Sequence, residues 1–150
     1  MNVIKLLEIE EGYREKAYYC SEGYPTIGIG KRIGDKSVDL KLYEFTVSKS
    51  VAMEWIKCDV DELIIDINKR FKWFGKLNEA RAAIVVSMCY QLGINGFSKF
   101  KQTIYHIQHG NYSLASVEML DSRWAKQTPQ RAERHSRVML TGSFDNVYED

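Results

Sequence analysis

This chain has little of what marks several protein classes. Its 150 residues contain two prolines, Pro25 and Pro129, and no low-complexity stretch, which argues against a disordered segment or a string of linked modules. No internal repeat is visible, which excludes a solenoid. No run nears the ~20 apolar residues of a membrane span. The first residues, with acids at Glu8, Glu10 and Glu11, do not read as a signal peptide. Three cysteines, Cys20, Cys58 and Cys89, are an odd number without C-x-x-C spacing, and no H-x-x-x-H exists. Neither a structural zinc site nor a disulfide framework is expected, so folding in a reducing compartment is the default. A net charge of +1 gives no overall case for a nucleic-acid partner.

The composition present is that of an ordinary globular domain, 45% hydrophobic and 27% charged. Charge is unevenly spread. Lys76 to Phe144 carries nine Lys/Arg against four Asp/Glu, whereas the residues before Ser48 carry seven against eight. That asymmetry suits either an anionic polymer or an ordinary solvated face.

Periodicity divides the chain. Val3, Ile4, Leu6, Leu7 and Ile9 behind Asn2 predict a helix over 3–11 that Gly12 stops. Ala17-Tyr18-Tyr19 and Tyr24 to Ile29, separated by Ser-Glu-Gly, predict a β-hairpin, with a weaker strand near Lys31 to Ile33. From Ser48, apolar residues Val51, Trp55, Val60, Leu63, Ile64, Ile67 and Phe71 recur at helical intervals and predict a long helix over 49–71. Further helices are expected from Asn78 to a stop at Gly93, around Phe100 to Ile107, over Leu114 to Leu120, and from Thr128-Pro129 to Gly142. The fold class is α+β: a hairpin lobe (13–47), a long helix, and an α-helical lobe (76–142) on which helix 3–11 packs, all within one domain, 1–150.

Glu11, Cys20 and Thr26 surround the predicted hairpin. Glu11 ends a helix, Cys20 ends a strand, and Thr26 lies on the returning strand. Glycoside hydrolysis needs an acid for the leaving oxygen and a group opposite it to manage water or the anomeric carbon. Glu11, partly desolvated, suits the first task. Thr26 can hold a water, and Cys20 can orient that water or, as thiolate, draw its proton. Each residue also has an ordinary reading: a surface glutamate, a small buried thiol, a β-former. A Cys/His pair is weaker, because nothing brings His106, His109 or His135 beside Cys20. Gly28, Gly30 and Gly34 are spaced G-x-G-x-x-x-G with no crossover helix, which sets a dinucleotide loop aside. These glycines instead let the backbone turn sharply or approach another group.

The segments E-E-G-Y-R-E-K-A-Y, S-E-G-Y-P-T-I-G-I-G, Y-Q-L-G, S-R-W-A-K-Q-T-P-Q-R-A-E-R and the terminal Thr141-Gly142 resemble the phage-type muramidases of glycoside hydrolase family 24, the lysozymes of the T-even bacteriophage class. The resemblance covers essentially the whole chain and implies a lysozyme-like fold. It also implies a catalytic spacing E-x8-D-x5-T, matched by Glu11 and Thr26, with Cys20 standing for the Asp. The implied chemistry is inverting hydrolysis of the bond after N-acetylmuramic acid, with Glu11 as general acid. Glu22 and Arg123 match an ion pair of the family, Arg131 the arginine that pairs with Glu11, and Glu10 with Arg134 a buried pair. Gln91 and Tyr90, the latter for a usual Phe, fall at substrate-lining positions. Arg32 and Phe100 fall there too, but replace an apolar residue and a Ser, and Lys31 replaces a His.

No metal or other cofactor is implied. The implied partner is bacterial peptidoglycan, met by a monomer without nucleic acid or stable membrane association. Synthesis in a host cytoplasm and release through a holin-type pore are implied by the same likeness. Two other outcomes stay open: a wall-binding module that does not cleave, and a lytic transglycosylase. Within hydrolysis, Cys20 as covalent nucleophile with net retention is the rival to Cys20 as water-orienter.

Overall fold

The computed structural model describes residues 1–149 and has two compact units. One comprises Leu7–Asp61; the other comprises Met1–Leu6 with the chain from Glu62 onward. The expected α+β class is what the chain adopts, with seven α-helices and one small antiparallel sheet among the described residues.

In the first unit, helix α1 (Val3–Glu11) contributes its second half. Asn2 caps it, accepting the Lys5 backbone N–H at 3.0 Å, as the sequence suggested. Gly12 stops it in the left-handed region (φ +69°), returning its N–H to the Glu8 carbonyl at 3.0 Å. Strands β1 (Arg14–Tyr19), β2 (Pro25–Gly28) and β3 (Lys31–Arg32) form an antiparallel sheet in the order β1-β2-β3. All four β2 residues are buried, and Ile27 is fully so, which makes β2 the core strand. The start of β1 is tied to the segment before the long helix: Tyr13 donates its hydroxyl to the Val47 carbonyl (2.6 Å), and Val47 its N–H to the Glu15 carbonyl (2.9 Å).

Helix α2 (Lys49–Arg70) occupies nearly the span expected. Its buried face differs by one position at the start. Ala52, Ile56, Val60 and Ile67 are inside, whereas Val51 is exposed. Small Ala52 is what permits this phase, because the backbone of Gly28 comes so close that a Cβ there would lie 3.2 Å from the Ala52 Cβ.

The second unit is helical. Asn78 caps α3 (Glu79–Ser98) through the Arg81 N–H at 3.0 Å. Gly93, expected as a stop, is a break: its φ of +75° and ψ of 159° interrupt the helix, which resumes through Ser98. Helices α4 (Lys101–Gln108), α5 (Tyr112–Leu120) and α7 (Pro129–Thr141) follow as expected, with Gly142 ending α7 at φ +72°. The Thr128 hydroxyl does not cap α7; it bonds back to the Trp124 carbonyl at 3.0 Å. That bond closes α6 (Arg123–Gln127), which periodicity did not reveal because five residues hold barely more than one turn. The core is built from Ile84, Val85, Met88, Phe97, Met119, Val138 and Met139, each 2% exposed or less. No helix among the described residues is long and apolar enough to cross a membrane.

Candidate active site

Glu11 is the last residue of α1, half-buried, and its carboxylate lies against the backbone of Gly30. A Cβ added at Gly30 would sit 2.7 Å from Glu11 Oε2 and 2.9 Å from its Cδ. This is the close approach that G-I-G permits: Gly30 also holds a φ of +64°, which L side chains rarely adopt. Only glycine satisfies both demands.

Cys20 begins the turn that joins β1 to β2, one residue past the strand it was expected to end. Its backbone is held twice. Its carbonyl accepts the Gly23 N–H at 2.9 Å, and its N–H donates to the Tyr24 carbonyl at 3.0 Å. The thiol is free and half-buried. Thr26 is 3% exposed and donates its hydroxyl to that same Tyr24 carbonyl at 2.8 Å. One carbonyl oxygen therefore joins the Cys20 backbone to the Thr26 side chain. Because the Thr26 proton is committed there, its oxygen can only accept from a water.

Around these three, Tyr18 stands directly opposite Thr26 on β1, and Arg32 opposite Thr26 on β3. The Tyr18 phenol titrates above its ordinary range, first through burial and then through the charges of Glu11 and Cys20, with Arg14 pulling the other way. Sequence reading passed over Tyr18 as a β-former; the signal for it was its position opposite Thr26 once the turn is placed.

Within the hairpin unit, Glu22 is paired with Arg32 at 3.4 Å. The reason is local: Arg32 replaces an apolar residue at the edge of the same sheet, and its guanidinium also lies 3.4 Å from the centre of the Tyr24 ring. Lys31, in the place of a His, grips both carboxylate oxygens of Asp59 on α2 at 3.0 and 2.8 Å.

In the helical unit, Gln91 accepts the Trp124 indole N–H on its Oε1 at 2.8 Å. Since indole can only donate, that bond fixes which way the amide faces and leaves its NH₂ as a donor. Phe100 packs edge-on against Trp124, centroids 5.9 Å apart. Trp124 thus joins two expected substrate residues. Tyr90 and Arg134 are half-buried, and Arg123 is exposed at the start of α6. Arg131 is buried and donates to the Ser87 hydroxyl at 2.9 Å. Ser87 meets His135 Nε2 at 2.7 Å, and His135 Nδ1 meets the Tyr148 hydroxyl at 2.8 Å. This buried row orients Arg131 through partners that no local pattern announced. Glu10 lies on α1 and is half-buried or less, like Glu11 a residue with partners of its own. No group of three metal-ligating side chains occurs among the described residues.

An N-terminal carboxylic acid on a hairpin lobe, followed by a helical lobe rich in aromatic and amide side chains, is the arrangement of a lysozyme. Residues 8–137 match the phage lysozyme family, and the chain belongs to it. It is thereby an enzyme of the peptidoglycan-hydrolysing, muramidase type. Among its relatives, the pre-baseplate central spike protein Gp5 of Enterobacteria phage T4 is 29% identical over 97% of this chain, which spans 29% of that protein's length. The probable T4-type lysozyme 1 of Dictyostelium discoideum is 29% identical over 96% of both chains. The peptidoglycan hydrolase gp36 of Pseudomonas phage phiKMV is 28% identical over 86% of this chain, which spans 14% of its length.

Proposed function

We propose that this chain cleaves the β-1,4 bond between N-acetylmuramic acid and N-acetylglucosamine with inversion, using Glu11 as general acid. The observation that carries this reading is the seating of the Glu11 carboxyl on the bare α-carbon of Gly30, in the lobe that holds Thr26 and Cys20. In the reaction, Glu11 gives its proton to the leaving glycosidic oxygen as the C1–O bond breaks. Water attacks C1, donating one hydrogen bond to the Thr26 oxygen and one toward the Cys20 sulfur. The water's surplus proton leaves by way of the sulfur or directly to solvent. A thiol serves less well than a carboxylate here, because sulfur is a weak acceptor. General-base help is worth ~10²–10⁴-fold, so a weaker group lowers the rate without abolishing the reaction.

Arg131 and Arg134, which the resemblance pairs with Glu11 and Glu10, belong to the same proposal as positioning residues. Gln91, Tyr90, Phe100, Arg32, Glu22 and Arg123 belong to it as substrate-lining residues. The NH₂ of Gln91, left as a donor by the Trp124 bond to its Oε1, suits an N-acetyl carbonyl. Action on the wall after synthesis in a host cytoplasm and release through a pore is the cellular setting we infer.

The test is proton NMR of the first-formed reducing end, with Glu11→Gln assayed beside it. Inversion yields the α-anomer first, and Glu11→Gln loses nearly all clearing of wall suspensions while keeping its melting temperature. A β-anomer formed first would instead identify Cys20 as a nucleophile. A 1,6-anhydro end, seen by mass, would identify a transglycosylase. Wild-type clearing by Glu11→Gln would remove Glu11 from the mechanism.

A further inference from the structure

Tyr148 lies beyond α7, outside every helix and strand that supplies a candidate site residue, yet it is only 5% exposed. A tyrosine that deep ordinarily uses its hydroxyl, and this one meets His135 Nδ1 at 2.8 Å. The turn that carries it is pinned at both ends. Where α7 stops, the Asn78 side-chain amide donates to the Gly142 carbonyl at 2.9 Å. At the far end the Tyr148 N–H returns to the Phe144 carbonyl at 2.9 Å, and the two rings pack edge-on with centroids 6.4 Å apart.

From the phenol, hydrogen bonds run inward without a gap. His135 is fully buried, its ring packed against those of Trp124 and Tyr148 with centroids 6.0 and 6.2 Å away. Its Nε2 meets Ser87 Oγ at 2.7 Å, and that oxygen accepts from an Arg131 Nη at 2.9 Å. The same Arg131 nitrogen also reaches the Ser87 carbonyl at 3.4 Å. A guanidinium only donates, so Ser87 must turn an oxygen lone pair toward it. A neutral imidazole offers one donor and one acceptor, so Tyr148 and Ser87 must address it in matching directions. A row of this kind polarises along its length and holds its members harder than separate pairs would. Burying an imidazole costs free energy that an apolar side chain would not, and bonding both ring nitrogens offsets that cost.

We propose that Tyr148 is a remote positioning residue of the active site: through His135 and Ser87, the turn after α7 sets the angle at which Arg131 presents its guanidinium. The inference rests on the proposed role of Arg131 in positioning the acid. Its effect falls on kcat rather than on KM, because Arg131 bears on the reacting group and not on the bound sugar.

Tyr148→Phe tests it, since the ring stack stays and only the oxygen is lost; Ser87→Ala is the companion variant nearest Arg131. On solubilised peptidoglycan chains kcat falls about two- to tenfold in the first, the effect of one neutral hydrogen bond. In the second it falls about tenfold or more, the effect of a bond to a charged group. KM stays within about twofold in both. Proton–nitrogen NMR of the arginine side chains reads the geometry directly: Arg131 Nη–H signals are separate in the wild type, because the guanidinium is pinned, and merge in both variants. In an Arg131→Met background, Tyr148→Phe costs no further rate. Wild-type kcat in Tyr148→Phe overturns the proposal. So does a lowered melting temperature with unmoved Arg131 signals, or a rate loss that persists without Arg131, since either leaves the phenol a structural support only. If Arg131→Met does not fold, kcat and the Arg131 signals of the other two variants decide by themselves. Arg131→Met at the wild-type rate brings down the reading beneath, by showing that the row orients a guanidinium the reaction does not use.

Discussion

Replacing Gly30 with alanine separates the stability of this protein from its activity, because the two costs arise from different atoms. The new methyl carbon would lie 2.7 Å from Glu11 Oε2, 2.9 Å from Cδ and 3.0 Å from Cγ. Nonbonded carbon contacts settle near ~3.5–4.0 Å, so something must retreat by roughly 1 Å. The turn carrying Gly30 is anchored by the buried residues Ile27 and Ile29 just before it, whereas the carboxyl is the far end of a flexible side chain. The carboxyl moves, at little cost in stability. What remains is the backbone term: a φ of +64° costs a non-glycine residue about 1–2 kcal/mol. For a chain of this size that is a fall of roughly 2–8 °C in melting temperature. A displacement of ~1 Å at the general acid, by contrast, costs about a hundredfold in rate. Gly110→Ala is the control, since its φ is +75° and a Cβ there meets nothing within 4 Å. It should match the loss in melting temperature and keep kcat. Calorimetry and initial rates of wall clearing at saturating substrate decide the matter. If Gly30→Ala clears walls at the wild-type rate, either the carboxyl does not rest on Gly30 or Glu11 is not the acid.

Cys20→Asp restores a second carboxylate at a turn position whose backbone is already pinned, and should keep or raise kcat; a loss of orders of magnitude in the clearing assay would mean that the thiol itself forms a bond to the substrate. Cys89 is pushed up to about 12 by burial, against the opposing pull of Arg70, so it holds no thiolate at pH 8. Thiol titration of the native protein should leave Cys89 unmodified until denaturant is added, while exposed Cys58 reacts at once. The same shift carries a sign for stability. Below the ordinary thiol value of 9.0 both folded and unfolded chains keep the proton, and between there and about 12 only the unfolded chain releases it. Stability therefore falls as pH rises through that window. Cys89→Ala should flatten that part of a denaturation-versus-pH series, and an unchanged slope would assign it to other groups.

Local chemistry was enough for the elements whose signal is short-range. Asn2, Asn78, Gly12 and Gly142 act at helix ends through atoms a few residues away, so their roles could be named from the chain alone. The hairpin followed from two β-rich runs around Ser-Glu-Gly, and Glu11, Cys20 and Thr26 from their spacing about it. α6 was missed because five residues have no period, and Gly93 was taken for a stop because positive φ breaks a helix whether or not it resumes. The phase of α2 was set by Ala52 rather than Val51, a choice made by the closeness of Gly28.

What the amino-acid sequence determined by itself is therefore the order and type of the elements long enough to show a period, the family, and the identity of the candidate acid. What only tertiary structure decided is which groups face one another. Glu22 turned to Arg32, Lys31 to Asp59, Ser87 to both Arg131 and His135, and the Glu11 carboxyl to the α-carbon of Gly30. Capping and turn energies depend on atoms within a few residues and are written locally. Ion pairs, buried hydrogen bonds and close approaches depend on distances between residues up to tens of positions apart, which exist only once the chain has packed.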